Sequence, residues 1–193
     1  MQITGVVLAG GLSRRMGGAD KGLMDFLGKP MVTHVIERVL PQVNELLINA
    51  NREISRYQAL GYPVVQDDIS GFAGPLAGLH AAIKVSKSPF VLTVPCDCPL
   101  LPPDLASRLA QHLVEHQAEI AVARTGSQSH PVFCLCKTSL LSSLENYLSS
   151  GERKMDIWQQ SVNIAEVSFD DNPRAFSNIN TAQELSQLLL SIP

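Results

Sequence analysis

Leu8-Ala9-Gly10-Gly11-Leu12-Ser13-Arg14-Arg15-Met16-Gly17-Gly18-Ala19-Asp20-Lys21 grows out of the apolar run Ile3 to Ala9, and this junction decides the fold. Ile3, Val6, Val7 and Leu8 form a short block of mostly β-forming residues, the pattern of a strand buried on both faces of a parallel sheet. The loop therefore leaves the carboxyl end of a central strand, where open α/β sheets bind their ligands. Gly10 and Gly11 let backbone N–H groups approach an anion with no Cβ in the way, while Arg14, Arg15 and Lys21 supply positive charge. Such a loop suits a triphosphate better than it suits a plain surface turn. It also departs from two common phosphate-binding patterns. The Gly17 to Gly22 stretch is followed by Leu23 where a Walker A loop needs Lys, and Gly10 and Gly11 are adjacent where a dinucleotide fingerprint needs a spacer. Neither a P-loop NTPase nor a dehydrogenase is favoured.

Outward from this loop, strand-like and helix-like runs alternate, which predicts an α/β fold: a Rossmann-like three-layer sandwich with a mostly parallel central sheet and helices on both faces. Strands are expected near 3–9, 45–49, 63–67, 89–95, 119–124, 131–136 and 163–169, and helices near 31–40, 53–60, 75–86, 103–116, 139–149, 153–160 and 181–191. Pro30 marks the start of the first helix, and Val32, Val35, Ile36 and Val39 recur at helical spacing. The only direct strand-to-strand step crosses Gly126, so a hairpin there would break the parallel pattern. At 193 residues the chain suits one domain, with a nucleotide-binding part over about 1–100 and an acceptor-binding part over about 101–193.

A formal net charge of −3 gives no general basic field, which disfavours nucleic acid as a partner and points to a small anionic substrate. No secretory leader is visible and no apolar stretch approaches the roughly 20 residues of a membrane span, so a cytoplasmic location with reduced thiols is expected. The four cysteines form two Cys-x-Cys pairs, Cys96 with Cys98 and Cys134 with Cys136. Structural zinc sites normally place about two to four residues between paired ligands, so packing as small hydrophobes is the better reading. His112-Leu-Val-Glu115-His116 matches a zinc-peptidase pattern, but both histidines lie off the apolar stripe Leu105, Leu109, Leu113, as a solvated helix face would have them.

The remaining chemistry sits where strands stop. Strand 89–95 ends in Pro95-Cys96-Asp97-Cys98-Pro99, which places Asp97 at the edge of the glycine-rich loop as the candidate metal ligand. Magnesium takes one or two carboxylates and completes its shell with phosphate oxygens and water. Strand 63–67 ends at Asp67-Asp68, and Gly74 and Gly78 beyond it let backbone close on a base or ribose. Asn49 and Asn51 carry amides that either read a base edge or, for Asn51, cap a helix. Asn178 and Asn180 lie near the last helix, where Asn180 or Thr181 could cap it.

Taken jointly, Val6 to Lys21, Asn49 to Arg52, Gly74-Pro-Leu-Ala-Gly78, Pro95-Cys-Asp97, Gly151-Glu-Arg-Lys154 and Phe176 to Thr181 resemble the molybdenum cofactor guanylyltransferase (MobA) family of nucleotidyltransferases. The resemblance implies Mg²⁺ as cofactor, GTP and molybdopterin or Mo-molybdopterin as substrates, and transfer of GMP with release of pyrophosphate. Molybdenum-insertion proteins and recipient molybdoenzymes are the protein partners it suggests. By matching motif it assigns Leu8, Ala9 and Gly10 to nucleotide contact, Arg15 and Lys21 to phosphates, Asn49 and Asp67 to guanosine, and Asp97 to both nucleotide and metal. Arg15, Lys21 and Asp97 would be catalytic. Arg153, Lys154, Asn178 and Asn180 would face the pterin. Cys98 departs from the pattern, where a larger apolar residue is expected. The competing readings are a cytidylyltransferase or sugar-phosphate nucleotidyltransferase of the same fold, separated by which triphosphate is consumed, and a non-catalytic nucleotide-binding regulator, separated by product formation.

Overall fold

Ile3 to Leu8 form the central strand, β1, and its alternating side chains feed two different cores: Val7 packs into one apolar cluster and Val6 into the other. This is the double burial that the continuous apolar run predicts. The computed structural model describes residues 1–9, 20–69 and 74–179. Gly10, Arg15, Asn180 and the helix expected at 181–191 lie outside the described residues.

After β1, a two-residue hairpin, β2 (Asp25–Phe26) and β3 (Lys29–Pro30), leads into α1 (Met31–Val39). β4 (Glu45–Asn49), α2 (Ile54–Gln58), β5 (Val64–Val65), α3 (Pro75–Val85), β6 (Phe90–Pro95) and α4 (Leu105–Glu115) follow. The chain continues through β7 (Ile120–Thr125), β8 (Gln128–Lys137), α5 (Leu141–Ser149), α6 (Met155–Gln160) and β9 (Ile164–Ser168). Among the described residues seven strands form one sheet in the order β5-β4-β1-β6-β8-β7-β9. β8 runs antiparallel to both β6 and β7, and every other pairing in the sheet is parallel. The hairpin expected across Gly126 is this β7–β8 step, with Gly126 at φ +53°. β8 begins earlier than expected, and its register with β7 slips between Cys134 and His130. Pro131 falls in that gap, where it has no N–H to give the ladder.

The two faces are covered as the layered reading requires. α1 and α4 bury Val32, Val35, Ile36, Val39, Leu105, Leu109 and Leu113 against Ile48, Leu92 and Val94. α3, α5 and α6 bury Leu76, Leu79, Leu144, Leu148 and Trp158 against Leu47, Val91 and Val122. β5 is shorter than the expected 63–67: the ladder lasts only for Val64 and Val65, beyond which Asp67 is held by side chains instead. α2 is likewise trimmed, entered through Glu53 at φ +50° and followed by Gly61 at φ +86°. No helix among the described residues is long and apolar enough to cross a membrane.

Candidate active site

The chain leaves β1 for β4 on one side and later places β6 on the other, so the carboxyl ends of β1 and β6 flank a topological switch point. Two backbone bonds carry the pairing beyond the strands: Ala9 N–H donates to the Asn49 carbonyl at 2.8 Å, and Cys96 N–H to the Leu8 carbonyl at 3.1 Å. Leu8, Ala9, Asn49 and Asp97 are thereby gathered at one edge.

Lys21 reaches this edge on a 3-10 turn, Lys21–Leu23. Asp20 caps the turn, its Oδ1 accepting from the Gly22 N–H at 3.1 Å and from the Tyr57 hydroxyl at 2.5 Å. Gly22 is obligatory here, because a Cβ would lie 2.6 Å from the Tyr57 hydroxyl and 3.2 Å from Cys96 Sγ. Lys21 Nζ stands 3.7 Å from Asp97 Oδ2, and the two side chains are 21% and 13% exposed. Burial pushes the Asp97 carboxyl above its ordinary range, and the Lys21 ammonium offsets only part of that. A carboxylate only partly compensated in this way is receptive to a further cation, and the ammonium beside it attracts phosphate oxygens.

Asn49 and Asp67 are brought together on the other side of β1. Asn49 Nδ2 donates to Asp67 Oδ1 at 2.8 Å and to the Val65 carbonyl at 3.3 Å. Asn51 Nδ2 donates to Asp67 Oδ2 at 2.7 Å, and its Oδ1 accepts from the Asp67 N–H at 2.9 Å. Asn51 is therefore no helix cap: it clamps Asp67, and Glu53 occupies the position before α2. Gly78 lies against this clamp so closely that a Cβ would meet Asn49 Oδ1 at 2.4 Å. Gly74 precedes α3 at φ +66°, with Pro75 as the first helical residue.

The segment carrying Asn178 is hung on the Asp97 loop. The Ile179 N–H donates to the Asp97 carbonyl at 3.0 Å, and the Cys98 thiol donates to Asn178 Oδ1 at 2.7 Å. Ile179 is buried with Phe26 and Met31, which ties this segment to the β2–β3 hairpin. Arg153 and Lys154 sit instead between α5 and α6. Arg153 donates to the Leu148 and Glu152 carbonyls, and Lys154 accepts the Tyr147 hydroxyl through its own carbonyl. His112 engages the Arg108 carbonyl on α4 and Glu115 pairs with Gln111, while Leu105, Leu109 and Leu113 are buried as expected. All four cysteines are free and buried within the two cores. Among the described residues no cluster of three or more His, Cys, Asp or Glu could hold a metal by itself. Tyr57 and Gly22 carry no sequence signal: each is a single residue whose importance depends on what packs against it.

A cation and a partly buried carboxylate at the switch point of a mostly parallel sheet, beside a clamped amide–carboxylate pair, define an α/β nucleotidyltransferase. Comparison with known proteins narrows the class. The family model for the MobA-like NTP transferase domain matches residues 5–164. The molybdenum cofactor guanylyltransferase of Shewanella woodyi is 48% identical over 100% of this chain and 98% of its own length, and that of Shewanella sediminis is 47% identical over 97% and 96%. The crystal structure of molybdopterin-guanine dinucleotide biosynthesis protein A from Archaeoglobus fulgidus shares the fold, with a TM-score of 0.80 over 98% of this chain and 100% of that one at 21% identity. The chain belongs to the MobA-like NTP transferases and, within them, to the molybdenum cofactor guanylyltransferase family. Nucleotidyltransferases of this family generally use a divalent metal ion.

Proposed function

We propose that this enzyme transfers GMP from Mg-GTP to the terminal phosphate of molybdopterin or Mo-molybdopterin, releasing pyrophosphate. The observation that carries the reading is the Lys21–Asp97 pair, two partly desolvated opposite charges at the switch point of the sheet.

The chemistry asks little of a general base. The pterin phosphate is a monoester with a second pKa of about 6, so it is already anionic near neutral pH. Its oxygen attacks the α-phosphorus of GTP; the new P–O bond forms as the bond to the α–β bridging oxygen breaks, and pyrophosphate departs with that electron pair. What the chain must do is hold the two phosphates in line and offset their charge. Lys21 and Arg15 serve the phosphates, and Leu8, Ala9 and Gly10 approach them through backbone. Asn49 and Asp67, locked to each other, form a rigid wall for guanosine, with Gly74 admitting the ligand closely and Gly78 serving nucleotide binding through the space it leaves for Asn49. The Asp97 carboxylate is a hard oxygen donor and would hold Mg²⁺, leaving the rest of the ion's shell to substrate oxygens and water. Bound there, Mg²⁺ would neutralise charge on the phosphates and the leaving pyrophosphate.

Asn178 and Asn180 serve the pterin side, with Arg153 and Lys154 turning to its phosphate. In this division residues of about 1–100 bind nucleotide and about 101–193 bind acceptor within one domain. A cytoplasmic setting, supply by molybdenum-insertion proteins and delivery to molybdoenzymes complete the proposal, with neither nucleic acid nor membrane as partner. The test is to offer four α-labelled nucleoside triphosphates with Mg²⁺ and molybdopterin: label passes to the pterin from GTP alone, whereas transfer from CTP would reassign the base and no transfer would favour the nucleotide-binding regulator.

A further inference from the structure

We infer that Tyr57 is a positioning residue for this reaction, its buried hydroxyl holding the turn that aims Lys21 at Asp97; the inference rests on the guanylyl transfer proposed above. Tyr57 comes from α2, an element with no residue in the Lys21–Asp97 pair, and is fully buried. An apolar ring alone would fill that space. The hydroxyl is satisfied by one partner, Asp20 Oδ1, which is the same oxygen that receives the Gly22 N–H. One carboxylate oxygen thus fixes the residues on both sides of Lys21. Burial holds the phenol far above its ordinary range, so it remains a donor at every working pH.

Packing closes the same turn from the other side. Gly22 is wedged between the Tyr57 hydroxyl and the side chain of Cys96, the residue immediately before Asp97. The turn bearing Lys21 therefore has two walls. One is Tyr57, and the other belongs to the strand end that presents Asp97. Losing the hydroxyl leaves Asp20 with one donor fewer and opens one wall, while the ring still fills the core. The consequence falls on where the ammonium stands, with the reacting groups themselves intact.

A double-mutant cycle tests this, using Tyr57→Phe, Lys21→Ala and the combination in the full chain, with kcat and KM measured for GTP and for the acceptor. Tyr57→Phe lowers kcat/KM for GTP about tenfold with the acceptor KM unchanged, and in the Lys21→Ala background that loss shrinks to less than about twofold, because the hydroxyl acts through Lys21. Asp20→Asn, which keeps the shape, gives a loss with the same dependence on Lys21 and decides the matter if Tyr57→Phe does not fold. An undiminished loss without Lys21, or no loss with Lys21 present, overturns the inference. Should the unaltered enzyme transfer no GMP, the reaction reading fails. The Tyr57 inference is then decided by metal-free GTP binding in equilibrium dialysis across the same cycle: a Lys21-dependent loss supports it, and an additive or absent loss overturns it.

Discussion

Gly78→Ala is the sharpest single-atom perturbation that the structure offers. The added methyl would lie 2.4 Å from Asn49 Oδ1, 2.7 Å from Leu8 Cδ2 and 2.9 Å from Asn49 Cγ, all inside van der Waals contact. Asn49 cannot simply swing aside, since its amide nitrogen is spent on Asp67 and the Val65 carbonyl and the residue is 3% exposed. Overpacking of this kind costs about 1–3 kcal/mol, and breaking a hydrogen bond to a charged group about 1.5–3 more. Against these stands the helix preference for Ala over Gly, about 1 kcal/mol in favour of the variant. The clash and the lost bond win, leaving a net destabilisation of about 3 kcal/mol. For a domain of this size that lowers Tm by about 6–12 °C. Because the displaced Asn49 belongs to the proposed guanosine wall, KM for GTP rises about tenfold, the equivalent of about 1.4 kcal/mol. Differential scanning calorimetry and GTP saturation curves measure both effects. A variant with the Tm and KM of the unaltered enzyme would refute the argument that Gly78 is present to admit Asn49.

Two further outcomes follow from a half-buried imidazole and from the buried thiols. His130 is stacked on Phe176 at 4.6 Å with its Nε2 2.7 Å from Thr125 Oγ1, and burial holds its imidazole below the ordinary range. The unfolded chain then binds the proton more readily, so stability is full above the unfolded pKa of about 6.5, falls as pH drops through it, and levels off below the folded pKa. His130→Gln removes that dependence, and its Tm deficit relative to the unaltered enzyme narrows between about pH 8 and pH 5; parallel curves would contradict this. The four thiols are buried, with Cys134 pushed up to about 11, Cys96 and Cys98 higher still, and Cys136 held by burial well above the ordinary thiol range. A thiol reagent therefore finds no fast-reacting cysteine in the native enzyme and four after denaturation, and a fast native thiol would contradict that.

The parallel core was legible because its signals are local. Short, mostly apolar runs mark β1, β4 and β6, helical spacing marks α1 and α4, and the Gly126 step announces the antiparallel insertion into the large sheet. The β2–β3 hairpin escapes such reading. Its two turn residues, Leu27 at φ +54° and Gly28 at φ +82°, take the doubly left-handed form that Asn-Gly or Asp-Gly usually signals, and Leu27 gives no such hint. At the site, Asp97 stands out by its charge and its position just past a strand end, and Lys21 by its charge at the end of the glycine-rich stretch. The Asp20–Tyr57 bond does not, because it joins residues 37 apart in sequence. Asn51 shows the limit of residue type as evidence. An amide two residues past a strand fits a helix cap equally well, and only the position of Asp67 decides for the clamp.

The most direct test follows label from α-labelled GTP to molybdopterin in the presence of Mg²⁺, comparing the unaltered enzyme with folded Asp97→Asn. The side chain keeps its size and loses its charge, so turnover falls by about a hundredfold or more if this carboxylate stands at the phosphates. Equal transfer by both proteins would contradict the placement of the reaction at the Lys21–Asp97 edge.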